Sequence, residues 1–344
     1  MHDRRITVIG ATGAVGREAL AILAAAGHPA SHVRAVASDR SIGAECAYGD
    51  DVITLDALDH DVASECDLAL CCAGADVSRT WTPRFLAAGA AVVDNSSCFR
   101  ADPDVPLVIP EVNGDVLDRS PRPRVVANPN CSTTLLLLAV DPLRRAFGVE
   151  RIVVSTYQAV SGAGQAGIDE WRAQMRDVAA GRPPSPRTFP EPCVGNVFTH
   201  ESTLDPTTGF TGEESKMIHE ARRIWTDPHL ALSPTCVRVP VERAHSQAVT
   251  VTLRTPTTVA DARAALRHAP GLRLEDDARP PTPLRATGRD EVLVGRVRAA
   301  VPDEVDERGR THTLSLWLSG DQLRKGAALN ALQIAARMHD VARR

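Results

Sequence analysis

Aromatic residues are scarce: four Trp, two Tyr and six Phe make up 3% of 344 residues. The core is therefore left to Val, Ile, Leu and Ala, the residues that build parallel sheets covered by helices. The eight cysteines include no CxxC pair, and the strand-like RITVIG stands near the start where a signal peptide would carry its apolar run. Both features predict reduced thiols in a cytoplasmic protein, with no metal site. The apolar run Leu135 to Val140 falls far short of the ~20 residues a membrane helix needs, and no lipid-anchor signal is present, so no membrane partner is expected. Charge of one sign never accumulates. The 39 Lys and Arg against 43 Asp and Glu leave a net −4, without the basic stripe of a nucleic-acid binder.

What is present is an ordinary globular composition, 43% hydrophobic and 24% charged, on a chain long enough for two domains. Up to about Ala127, short apolar runs (RITVIG, HVRAVAS, DLALCCA, AVVDNSS, RVVANP) alternate with helical segments, among them about Val15 to Ala26 and a helix around Pro83 to Ala88. Strands separated by helices predict an α/β fold, an N-terminal Rossmann-like doubly wound parallel sheet. From Cys131 the pattern changes to an α+β domain: a buried helix in STTLLLLAVDPLRRAF, then strands IVVSTYQAV, CVRVPV, QAVTVTLR and HTLSLWL. Five prolines between Arg182 and Pro192 mark a surface loop. Thr211 and Glu214 have capping-box spacing at the head of another helix.

Gly10, Gly13 and Gly16 in GATGAVG follow a strand and open a helix. Without side chains the backbone can turn tightly and approach a pyrophosphate, which the helix N-terminus binds through its N–H groups. The end of the next strand, Ala37-Ser38-Asp39-Arg40-Ser41, offers two chemistries. Asp39 suits a ribose 2′-hydroxyl, as in NAD, whereas Arg40 with its neighbouring hydroxyls suits the 2′-phosphate of NADP.

Cys131, in NPNCST, falls where a strand ends and a long apolar helix begins. A thiol in the first helical turn feels the positive end of the dipole, which favours the nucleophilic thiolate. Its proton partner is sought among eleven histidines, and His245 in RAHSQ is the best candidate. It lies seven residues after Arg238, which puts the two on opposite faces of a straight strand, so a bend near Pro240 is required. On the residues alone, both also read as an ordinary surface histidine and an exposed strand charge. Glu213 and Lys216, three apart on one helix, share a face once Glu214 is committed to the cap.

Taken together, GATGAVG, DNSSCFRADPDVPLVIPEVN, NPNCSTT, YQAVSGAGQAG, GEESKMIHE, CVRVPVERAHS and DQLRKGAALN, in this order, resemble the aspartate-semialdehyde dehydrogenase family over nearly the whole chain. The resemblance implies NADPH-dependent reduction of aspartyl 4-phosphate to aspartate 4-semialdehyde and phosphate, in the supply of lysine, diaminopimelate, threonine, methionine and isoleucine. Cys131 would form the acyl-thioester, His245 would handle protons, and Gln158 would position the acyl group. Arg238 would grip the α-carboxylate, Glu213 would meet the α-ammonium, and Arg100 with Lys216, near Asn130, would hold the phosphate. For NADP(H) it implies Gly10, Thr12, Gly13, Ala14 and Val15 at the pyrophosphate, Ser38, Arg40 and Ser41 at the 2′-phosphate, and Ser161, Gly162 and Gln322 at the nicotinamide end.

The resemblance further implies an NADP-binding domain over 1–127, a catalytic and dimerisation domain over 128–322, a last helix over about 323–344 packing on the first domain, and a homodimer. The chain departs from the family's pattern at Gln322, where Asn is common, at FTHES (198–202) and in the extended ERGRTH loop. The last two are expected to touch no proposed catalytic residue. An N-acetyl-glutamyl-phosphate reductase-like enzyme and a catalytically silent nucleotide-binding paralogue are the alternatives.

Overall fold

The computed structural model describes residues 3–119 and 123–342. The sequence expectations of a first domain from residue 1 and a last helix to residue 344 extend onto Met1, His2, Arg343 and Arg344, which lie outside the described residues. Two compact units are present, one made of the chain up to Asn130 together with the segment from Ala327, the other of Cys131–Gly326.

The first unit begins with β1 (Ile6–Ile9), buried at all four positions as a central parallel strand requires, followed by α1 (Ala14–Ala25) and β2 (Val33–Val36). Next come β3 (Glu45–Tyr48), β4 (Asp51–Asp56), α2 (His60–Ser64), β5 (Leu68–Cys71), α3 (Ala75–Ala87), β6 (Ala91–Asp94), α4 (Pro110–Asn113) and β7 (Val125–Ala127). The sheet order is β3-β4-β2-β1-β5-β6-β7, parallel except for the β3–β4 hairpin. This is a doubly wound sheet whose strand order reverses at β1, next to β5, the place where such sheets bind ligands beyond their carboxyl ends.

Two sequence expectations change here. The helix read around Pro83 to Ala88 is only the end of α3, with Pro83 in its interior. The true start follows Gly74 directly, and proline's preference for a first turn points to the wrong place. The β3–β4 hairpin was not anticipated, because β3 is only four residues long and its inward face is just Cys46 and Tyr48, too short a run to show the alternation of a strand.

The second unit runs α5 (Cys131–Phe147), β8 (Val149–Gln158), α6 (Gly164–Ala179), β9 (Phe198–Thr199), α7 (Gly212–Ile224), β10 (Ala231–Arg238), β11 (His245–Thr258), α8 (Val259–Arg267), β12 (Leu272–Leu274), α9 (Pro283–Ala286), β13 (Val292–Ala299) and β14 (Arg310–Gly320). Its sheet has the order β12-β13-β14-β11-β8-β10-β9. Leu135, Leu136, Leu137 and Leu138 are all buried, so α5 is enclosed on every side. Each such leucine contributes about 1.5–3 kcal/mol of burial. The segment from Ala327, with α10 (Leu329–Ala342), belongs to the first unit and is entered through a π-helical turn, Arg324–Ala328. Ala328, Ala331, Leu332, Ile334 and Ala335 join the cluster of Ile6, Val8 and Leu20.

The loop between β1 and α1 is shaped by close backbone approach. Gly10 takes a φ of +83°, and a Cβ on Gly16 would stand 2.2 Å from the Gly10 carbonyl oxygen. Gly16→Ala therefore forces the helix away from the strand. A loss of about 1–3 kcal/mol in urea denaturation is expected, and unchanged stability would refute this packing.

Candidate active site

In the first unit, Gly13 caps α1 without any side-chain hydrogen bond, so the N–H groups of the first turn, at Ala14 and Val15, meet no side-chain acceptor from the cap. Thr12 is fixed by Arg17, whose Nε donates to its carbonyl at 2.9 Å. Ser38, Asp39 and Arg40 are exposed beyond β2, with Ser41 half-buried. Thr12, Arg40 and Ser41 line one cavity of about 1200 Å³ that runs along α1 beneath the β3–β4 hairpin. A glycine turn, an uncapped helix start and an arginine at the strand end fit a phosphorylated dinucleotide. Asn128 is braced by Asn95, to which it donates at 2.7 Å, and by Asn330, which donates to it at 2.7 Å. This holds the chain just before Asn130, which is buried. Arg100 donates to the Asn95 carbonyl at 2.9 Å.

The second unit gathers most of the other candidates. Cys131 is the first residue of α5. The π-helical turn passes so close that a Cβ on Gly326 would lie 2.9 Å from the Cβ of Cys131. Gln158 ends β8, Arg238 ends the neighbouring β10, and His245 opens β11. The bend demanded by the seven-residue interval is made by a tight Val241 N–H to Val239 carbonyl bond and by Ala244, a non-glycine residue at φ 73°. That left-handed conformation costs about 1–2 kcal/mol. The Ala244 N–H donates to Gln322 Oε1 at 2.9 Å, and Gln322 Nε2 donates to Ser161 Oγ, so Gln322 braces the histidine's approach and the loop after β8.

After this bend, Arg238 and His245 converge. A Cβ on the exposed Gly162 would stand 3.0 Å from Arg238 Nη1 and 3.2 Å from His245 Nε2. Neither residue is at the surface, contrary to the plainer sequence reading: Arg238 is 1% exposed and His245 0%. The Ala159 N–H donates to His245 Nδ1 at 3.0 Å, which places the proton of the neutral ring on Nε2. That Nε2 is buried and has no hydrogen-bond partner among the described residues. Burial first, then the Arg238 charge, pushes the ring's pKa down to about 3, against the opposing pull of Glu213.

Gln158 Nε2 donates to Glu213 Oε1 at 3.2 Å, and Lys216 Nζ donates to Glu213 Oε2 at 3.3 Å. Thr156 Oγ1 donates to the Gln158 side-chain amide oxygen Oε1 at 3.0 Å. The capping box forms as expected, and Glu214 also accepts from the Cys236 N–H at 2.9 Å, which ties α7 to β10 and sets Glu213 beside Gln158.

The FTHES segment, expected to touch no proposed catalytic residue, reaches two of the proposed substrate-binding residues, Arg238 and Glu213. Glu201 takes Arg238 through both carboxylate oxygens, Oε1 at 2.6 Å from Nη2 and Oε2 at 3.3 Å from Nε. His200 Nε2 lies 3.1 Å from Nη2, and Ser202 Oγ accepts from the Glu213 N–H at 2.9 Å. A buried guanidinium demands acceptors, and here they come from a segment that no local pattern ties to Arg238. The proline-rich loop is likewise anchored from within. Glu170 accepts from the Arg187 and Thr188 N–H groups, and buried Phe189 lies 5.3 Å beneath the Arg238 guanidinium.

A doubly wound nucleotide-type unit, followed by a second unit that holds a helix-opening cysteine and a buried histidine and arginine at neighbouring strand ends, has the parts of a dehydrogenase. The chain belongs to the semialdehyde dehydrogenase family: residues 5–120 match its NAD-binding domain and residues 140–325 its dimerisation domain. It is 42% identical to the aspartate-semialdehyde dehydrogenase of Synechocystis sp. over 96% of each chain, and 40% identical to that of Aquifex aeolicus over 96% of each. The crystal structure of aspartate semialdehyde dehydrogenase II complexed with ASA from Vibrio cholerae superposes with a TM-score of 0.90 at 38% identity, covering 98% of both chains.

The lowered pKa of His245 sets a pH dependence. Between about pH 6.5 and 3 the unfolded ring takes up a proton that the folded ring refuses, so stability falls as pH drops through this window. The contribution reaches about 1.4 kcal/mol per pH unit. His245→Asn, which keeps an acceptor for the Ala159 N–H, should flatten the acid limb of stability measured by urea unfolding. Parallel limbs for the two proteins would contradict the assignment.

Proposed function

We propose that the chain is an NADP-dependent aspartate-semialdehyde dehydrogenase, converting aspartyl 4-phosphate to aspartate 4-semialdehyde and phosphate. The observation that carries this reading is the convergence of a buried guanidinium, a neutral histidine and a carboxylate–amide–ammonium chain in the unit that Cys131 opens. The relatives bear the same activity in their names, and the Vibrio cholerae structure is described as complexed with ASA.

Cys131 Sγ attacks the acyl carbon and phosphate leaves, giving a thioester. His245 offers Nε2–H as a donor to negative charge developing on the acyl oxygen, because its Nδ1 is engaged by a backbone N–H. The anionic substrate raises the ring's proton affinity, which lets it act as an acid when the hemithioacetal oxygen needs a proton. Gln158 orients the acyl group, Arg238 receives the α-carboxylate, Glu213 the α-ammonium and Lys216 the phosphate. When bound, the reduced nicotinamide supplies hydride to the thioester.

In the first unit Gly10 and Thr12–Val15 would hold the pyrophosphate and Ser38, Arg40 and Ser41 the 2′-phosphate; in the second unit Ser161 and Gly162, with Gln322 hydrogen-bonded to Ser161, would meet the nicotinamide end. The second unit's sheet leaves Val153 and Tyr157 exposed, with Trp317 at 5.2 Å from Tyr157, an apolar face suited to a homodimer. A reducing, cytoplasmic setting suits a reactive thiol, and no disulfide links the cysteines among the described residues.

The test is a steady-state assay of aspartate semialdehyde and N-acetyl-glutamate semialdehyde with NADP and NAD, with and without phosphate. Turnover should require phosphate and favour aspartate semialdehyde, since a carboxylate at Glu213 suits a free ammonium. Cys131→Ser should lower kcat by at least ~10³-fold. Arg40→Ala should cut the NADP-to-NAD ratio of kcat/KM about tenfold or more. A ratio unmoved by that change would place the 2′-phosphate elsewhere.

A further inference from the structure

The five N–H groups of Arg238 are almost fully taken within the chain. Nε and one Nη2 hydrogen go to Glu201, a second Nη2 hydrogen faces His200 Nε2, and Nη1 donates to the Ala159 carbonyl at 2.6 Å. A bidentate grip on an incoming carboxylate needs two parallel N–H groups, and no such pair remains. The Nε–Nη2 edge, the natural fork for a carboxylate, already holds one.

The two partners of that edge differ in how easily they can leave. Arg238 is 1% exposed and stacked on Phe189, so it stays. Glu201 keeps 20% of its side chain exposed, on an irregular stretch between β9 and the isolated bridge of Leu204 with Thr211. The residues that follow, Thr203 to Gly209, face solvent. A rotation of Glu201 outward puts its carboxylate in water without moving an element. Burial opposes the Glu201 charge, yet the Arg238 hydrogen bonds and charge outweigh it and hold the carboxyl below its ordinary range, so Glu201 is present as an anion.

We propose that Glu201 is a specificity-determining residue, a carboxylate built into the substrate's own subsite that the substrate's α-carboxylate must displace from Arg238. This rests on the proposed function above. The exchange trades one carboxylate for another on the same guanidinium, so the substrate gains only the difference between the two pairings. A ligand without a carboxylate cannot replace Glu201 and gains nothing from Arg238. The buried cation is never left unpaired, because each carboxylate departs as the other arrives. The site therefore demands a carboxylate while holding its affinity down.

The test compares the full-length chain with Glu201→Gln, an isosteric change that keeps a hydrogen bond to Arg238 and removes the competing charge. Calorimetry with L-2-aminobutyrate, which carries the α-carboxylate and α-ammonium, and with propylamine, which lacks the carboxylate, reads binding without turnover. The variant should bind L-2-aminobutyrate about tenfold more tightly, with propylamine unaffected, and KM for aspartate semialdehyde should fall by more than kcat changes. Weaker or equal binding of L-2-aminobutyrate by the variant would overturn the proposal, making Glu201 a brace for Arg238. Should the variant unfold, a crystal structure of the unaltered protein with L-2-aminobutyrate decides: Glu201 swung off the Nε–Nη2 edge supports the exchange, and Glu201 still on it refutes it. Absent turnover in both proteins would refute the proposed activity, while probe affinity still reports on Glu201.

Discussion

One guanidinium sealed inside the second unit governs what surrounds it. A buried charge without partners is costly, and removing one partner from a buried ion pair costs about 3–5 kcal/mol. The fold meets this demand around Arg238 with a carboxylate from an irregular loop, a backbone carbonyl at the end of β8, a histidine ring and the face of Phe189. The same charge disfavours a proton on His245, so the neutral state of that ring follows from the placement of Arg238 as well as from burial. The pairing of Arg238 and the neutrality of His245 therefore have a common origin.

The backbone supplies much of the remaining definition. The Ala159 N–H fixes the His245 tautomer, while the Ala159 carbonyl holds Arg238, so a single peptide region orients both groups. Side chains on loops tolerate motion, but groups fixed by backbone at the ends of three adjacent strands do not. Gln158, Arg238 and His245 stand at such ends, on β8, β10 and β11. The left-handed Ala244 is strain held in place by Gln322, and it gives the chain the turn that a straight strand could not.

The broad architecture was legible because its signals are local. Period, glycine spacing and the Thr211–Glu214 cap depend on neighbours in sequence, and each found its element. Cys131 was legible for the same reason, as the first residue after a strand-end loop. The environment of Arg238 was not. Its partners come from 37 and 79 residues away, and nothing in CVRVP distinguishes a buried cation from an exposed one. The FTHES segment was visible as a departure from pattern, but its meaning appears only when β10 brings Arg238 beside it. The four residues Glu45 to Tyr48 likewise hid an edge strand, since two inward side chains, Cys46 and Tyr48, are too few to mark a period.

Long-range electrostatic demand is thus the kind of constraint that sequence pattern carries worst, and here it is also the kind that bears on function. Helices satisfy their backbone groups within a few residues and strands alternate faces residue by residue, so both patterns repeat along the chain and can be read there. A buried arginine has to be satisfied by whatever the fold delivers, and the delivering segments are free to vary if an acceptor arrives. Glu201 shows the consequence: a residue in an irregular loop, outside every recognised motif, takes the very edge of Arg238 that a substrate carboxylate needs. A departure from a family's pattern next to a buried charge is therefore a better place to look for altered specificity than a departure on an exposed loop such as ERGRTH, where Arg310 pairs with Asp306 four residues away.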